Sequence, residues 1–135
     1  MGPNDAELVR VWTREVGGTI GDETFPHNAA FEVVVEAEAG LAIFNSGAQF
    51  QTGLVVRDLY DNTFITVGPP NSFNGSLNSP AWATRAKQFV YTVPAASLGN
   101  ARLNHVCEVV AHLVIGVATP DVSFAVSPMF IITAP

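Results

Sequence analysis

The sequence predicts an all-β protein, a single antiparallel sandwich of seven strands occupying residues 1–135. Three observations lead there. Apolar side chains recur at every second position in short runs; glycine, proline and asparagine punctuate the chain between those runs; and no window sustains a helical period.

The first strand is expected from Glu7 to Val16, followed by a long loop that starts with Gly17-Gly18-Thr19-Ile20-Gly21 and reaches Asn28. The clearest alternation comes next. Phe31, Val33, Val35 and Ala37 fall on one face while Glu32, Glu36 and Glu38 fall on the other, so one face is core and the other meets water. After a bend from Gly40 to Gly47, residues Gln49 to Tyr60 read as a third strand with Phe50, Leu54 and Val56 on one side. Asp61 and Asn62 tolerate the positive backbone angles of a two-residue hairpin, which makes Thr63 to Val67 the return strand and Gly68-Pro69-Pro70 its stop.

Gly68 to Thr84 is the longest irregular stretch, and a loop of that length is functional, disordered or the host of a short strand. Arg85 to Val93 resumes the alternation, with Phe89, Tyr91 and Val93 together, and Pro94 to Gly99 has the proline start and glycine end of one helical turn. His105 to Ile115 is largely apolar on both faces, which predicts a central strand covered on both sides. Gly116 to Asp121 turns the chain. The last strand, Val122 to Thr133, contains Pro128, which cannot donate to a ladder and therefore belongs to an edge or a bulge.

Seven short strands with turns between them, and the His105-Val106-Cys107 spacing, resemble the immunoglobulin-like superfold and its fibronectin type III-like relatives. In antibody domains a tyrosine stands two residues before the second cysteine; here histidine holds that place. The Phe31 strand lacks a first cysteine and the Gln49 to Tyr60 strand lacks a tryptophan. The resemblance thus implies an architecture, without membership of an antibody-like family and without a function.

Composition narrows the partners. With 48% hydrophobic and 13% charged residues, a chain of 135 residues is expected to fold as one domain around its own core. The formal net charge is −6 and Lys87 is the single lysine, whereas binders of nucleic acid or anionic membranes gather cations on one face; both partners are disfavoured. Cys107, the lone cysteine, excludes an intrachain disulfide, and the start MGPNDAELVR lacks the pattern of a signal peptide. A reducing, cytoplasmic setting is the expectation.

The residues that carry chemistry mostly have structural readings. His105 and Cys107 leave one strand face two residues apart, close enough to share a zinc or copper ion, but two ligands make no site and that face also carries Val109, Ala111, Leu113 and Ile115. Glu108 and His112 stand about 13 Å apart along a strand, too far to act together. His27 sits in a separate loop. The Glu32, Glu36, Glu38 row diverges along a flat strand, which favours a solvated face guarding an edge over a calcium site. Asn74-Gly75-Ser76 matches the glycosylation triplet, which matters only in a secreted protein. No nucleophile elbow, zinc-protease, phosphate-loop or dinucleotide motif occurs, so neither cofactor nor metal nor catalytic residue is expected.

The reading that remains is a non-catalytic binding or assembly module that presents loops to a protein partner, with self-association as a variant. A small enzyme or an accessory domain of one is the rival, and a carbohydrate-binding module comes third. Counting strand directions puts the loops around residues 39–48, 68–84 and 116–121 at one pole. Asn45, Asn71, Phe73, Asn74, Asn78, Trp82 and Asp121 are the expected contact residues there, with the alternative that Trp82 plugs the end of the core. The apolar row Met129 to Ile132 exceeds what one buried face consumes, which points to an exposed apolar edge.

Overall fold

A computed structural model describes residues 2–116 and 120–135, so the turn expected from Gly116 to Asp121 falls largely outside them. Ten strands follow in order: β1 (Ala6–Glu15), β2 (Thr24–Pro26), β3 (Phe31–Ala39), β4 (Gln49–Asp58), β5 (Thr63–Ile65), β6 (Ser72–Ser76), β7 (Ala86–Val93), β8 (Val106–Ile115), β9 (Asp121–Val126) and β10 (Phe130–Thr133). A single short helix, α1 (Leu41–Asn45), lies between β3 and β4. The smaller sheet has the antiparallel order β1-β3-β7. The larger one runs β2-β10-β8-β4-β5, with β6 on β4 and β9 on β8.

Ten strands replace the expected seven because the last expected strand is split in two and two short strands, β2 and β6, lie in stretches read as loops. The return strand stops at Ile65, and the irregular stretch contains β6, which pairs with β4 in the same direction as β5. That stretch therefore does not reverse the chain, and the loop that follows β6 stays at the pole expected for it. The last strand splits around Ser127-Pro128-Met129 into β9 and β10, both antiparallel to β8. Within the long first loop, β2 pairs parallel to β10, which makes the larger sheet mixed rather than antiparallel throughout.

The two sheets close on one core. Phe25 stacks on Phe31 at 4.5 Å between ring centroids and Phe130 meets both edge-on, while Phe50, Trp82 and Phe89 form a second aromatic group. The Tyr91 hydroxyl is enclosed near Thr52, whose own hydroxyl donates to the His112 carbonyl at 2.7 Å, and has no hydrogen-bond partner among the described residues. Burial pushes the Tyr91 hydroxyl up to about 12.

Several local expectations change. The hairpin after β4 spans Leu59 to Asn62, since Asp58 pairs with Thr63, and of its residues Asn62 alone has positive φ, at 57°. The segment after Pro94 forms two 3-10 turns, Ala95–Ser97 and Asn100–Arg102. β3 is central in its sheet, so the glutamates guard no edge. Glu36 accepts from Arg10 and Trp12, both at 2.7 Å, and Glu32 accepts from Arg14 at 3.0 Å. Each carboxylate neutralises a cation across the strand instead of waiting for a calcium ion. β8 is central as expected, flanked by β4 on one side and by β9 and β10 on the other, yet among the described residues no element covers its outer face.

Candidate functional site

Three regions compete, and the densest in chemistry is a buried ionic cluster at the end of β4. Asp58 is fully buried at that end, opposite Cys107 of β8. Its Oδ2 accepts from Arg102 Nη1 at 2.8 Å and contacts His105 Nδ1 at 2.6 Å, while Oδ1 accepts the Tyr60 N–H at 3.0 Å. Arg102 also donates to Thr63 Oγ1 and to the Phe64 carbonyl, and it lies 3.7 Å from Asp61 Oδ1. Tyr60 stacks over His105 with 4.3 Å between centroids. Burial opposes the charged form of Asp58, but the hydrogen bonds from Arg102, His105 and Tyr60 outweigh it and hold the carboxyl below its ordinary range.

This arrangement is a clamp. One carboxylate ties the β4–β5 hairpin, the Asn100–Arg102 turn and the entry to β8 together, and both of its oxygens are hydrogen-bonded. Asp58, Asp61 and His105 bring ligand atoms within 4.8 Å of one another, but the guanidinium of Arg102 already fills the cationic place between the carboxylates. An Asp–His pair is also the base half of a hydrolytic triad. Among the described residues, no side chain hydrogen-bonds to the other ring nitrogen of His105.

His105 and Cys107 do not act together. His105 precedes β8 and reaches Asp58, whereas Cys107 is sealed in the core, where burial and the nearby Asp58 charge push its thiol up to about 12. Glu108 meets Arg57 at 4.0 Å, and His112 lies over Gly53 on the outer face of the larger sheet. His27 is tied elsewhere, its N–H donating to the Thr133 carbonyl.

The second region is the lower pole. Asn45 ends α1, Asn78 occupies the loop after β6 with φ 55°, and Asp121 begins β9; all three are exposed. Asn74 is exposed on β6 opposite Gln51 and helps Gln49, Gln51 and Ser76 line a groove of about 560 Å³. The other three stand apart. Asn71 lies partway up the flank near Gly53, Phe73 packs against Phe89 and Tyr91, and Trp82 is completely buried, closing the lower end of the core.

The third region escaped the sequence reading. On β9 the large apolar residues point outward, with Val122, Phe124 and Val126 exposed to 47%, 69% and 56%, while Ser123 and Ala125 face the interior. The cause is a bulge. β8 advances three residues from Cys107 to Val110 while the opposite strand takes four from Val126 to Phe130, and that extra residue flips the side-chain parity. Ser127 fixes the flip: its N–H donates to the Val109 carbonyl and its Oγ accepts the Val109 N–H, both at 2.9 Å. Ser123 Oγ accepts the Leu8 N–H at 3.1 Å and so pins β9 to β1. Val55 and Phe64 extend the bare apolar surface across β4 and β5. The Val122-Ser123-Phe124-Ala125-Val126 alternation is in phase with Phe130 and Ile132, all at even positions, so the break at Pro128 was the one legible sign that the faces could exchange. The apolar excess expected at Met129 to Ile132 is instead largely consumed, since Phe130 and Ile132 are buried and Met129 alone stands exposed.

No known protein-family model matches the chain, and no curated protein matches it by sequence. Among solved structures it is similar to the crystal structure of AggA, the major subunit of aggregative adherence fimbriae type I from Escherichia coli. The TM-score is 0.51 at 8% identity, over 98% of this chain and 97% of that one. Together with the two sheets described above, that likeness gives the fold as a β-sandwich.

Proposed function

We propose that this protein is a non-catalytic assembly or binding module, an immunoglobulin-like sandwich that meets a protein partner through the outer face of its larger sheet. The observation that carries the reading is the inverted strand β9. A soluble sheet normally turns its large apolar residues inward, yet here they face out and are locked there by the Leu8 and Val109 N–H groups, which donate to Ser123 and Ser127. The architecture supports the immunoglobulin-like assignment: β1-β3-β7 pack against a sheet whose order is β5 and β6, β4, β8, then β9 and β10. AggA being a major fimbrial subunit, the likeness agrees with an assembly role.

The groove lined by Gln49, Gln51, Asn74 and Ser76, with Asn45, Asn78 and Asp121 around the same pole, supports a second, polar contact surface on the loops. The test is photocrosslinking in extract of the native host. A crosslinking amino acid replaces Phe124 in one sample and Glu7, exposed on β1, in another. Protein adducts specific to the Phe124 position are the expected result, and none above the Glu7 control overturns the reading.

A further inference from the structure

Resting on that reading, we infer that the occupant of this face is a second copy of the same chain, docked sheet to sheet about a two-fold axis. Charge is the first argument. The chain carries −6, so two copies repel each other over most approaches. The outer face of the larger sheet is the exception, because its ionised side chains are Arg57 and Glu108, 4.0 Å apart and cancelling. A two-fold axis sets Arg57 of each copy near Glu108 of the other, so neither charge is buried alone. A strongly charged partner gains nothing on such a surface.

Area is the second argument. From the exposure of Val55, Phe64, Val106, Val122, Phe124 and Val126, the apolar surface on offer is roughly 500 Å², taking about 200 Å² for a whole aromatic side chain. A standard interface buries ~800 Å² on each partner, of which ~60% is apolar, so the face supplies what one self-complementary contact needs. Strand β8 adds a third argument. Its sequence is largely apolar on both faces, as in strands covered on both sides, while the described residues cover one; Val110 and Val114 stay partly exposed between β4 and β9.

Sedimentation of the purified full chain from about 1 to about 200 µM tests this, a range in which a micromolar dimer dissociates on dilution. A concentration-dependent dimer is expected, and Phe124→Asp or Val55→Asp should weaken its dissociation constant at least tenfold, roughly, while the thermal midpoint of dilute protein stays put. The dimer should persist at high salt, because its contact is apolar and its charges cancel. A monomer across the whole range in the unmodified chain overturns the inference whatever the variants do, and so does a dimer indifferent to both substitutions. A crosslinker in place of Phe124 separates the two levels: purified chain should give an adduct mapping to the same face of the other copy. An adduct with a different protein alone, in host extract, overturns the second copy and leaves the binding module standing; no adduct in either setting overturns both.

Discussion

Strands β9 and β10 lie end to end on the same edge of β8, yet one exposes its large side chains and the other buries them. Phe124 and Val126 face water while Phe130 and Ile132, also at even positions, are sealed in the core. Local sequence does not distinguish them. The bulge at Ser127-Pro128-Met129 does, by adding one residue to one side of the ladder and so exchanging the faces. A strand's burial thus depends on its register, and its register can be set by a single serine with two backbone hydrogen bonds.

The sharpest way to break this comparison is to truncate one aromatic on each side of the bulge. Phe130→Ala should cost about 3–5 kcal/mol in urea unfolding, since it opens a cavity against Phe25 and Phe31, whereas Phe124→Ala in dilute protein should stay within about 0.5 kcal/mol. Equal losses would mean that β9 is not free on its outer face. Ser127→Ala comes next, at about 1–3 kcal/mol, because the Val109 N–H is left buried without a partner.

The β10 end of this edge also sits next to the ionic clamp, through the Asn104 N–H to the Ile132 carbonyl and the Ile132 N–H to the His105 carbonyl. Acid should therefore loosen that end first. The folded-state carboxyl of Asp58 is depressed, so its contribution is fully present above its unfolded value near 3.8 and is lost as pH falls through the lower folded value. Amide exchange in β10 should accelerate in that acidic window before exchange in β9 does, and Asp58→Asn should flatten the dependence. The smallest effect is kinetic. The Cys107 thiol, buried and pushed up to about 12, should react in native protein at least a hundredfold, roughly, more slowly than in urea. Rapid native labelling would mean that the edge over Cys107 opens readily.

The sequence was most legible where physics is local. Alternation at Phe31 to Ala37 and at Phe89 to Val93 marked the core faces of β3 and β7, and Pro128 marked the place where the last strand breaks. It was least legible at the clamp, because Asp58 finds Arg102 and His105 at separations of 44 and 47 residues, and nothing near Asp58 announces those partners. The candidate loops fall between the two. Their positions along the chain were readable, but that Trp82 and Phe73 turn inward while Asn74 joins a groove followed only from the packing of β6 on β4.

By itself, then, the sequence determined an all-β chain, its apolar faces, its lone buried thiol and its surplus of negative charge, since each depends on residue type and a two-residue period. Tertiary structure alone decided the mixed larger sheet, the buried carboxylate clamp and the outward-facing β9. Each of those depends on how many residues lie opposite one another across a ladder closed by distant parts of the chain, a quantity that no local pattern encodes.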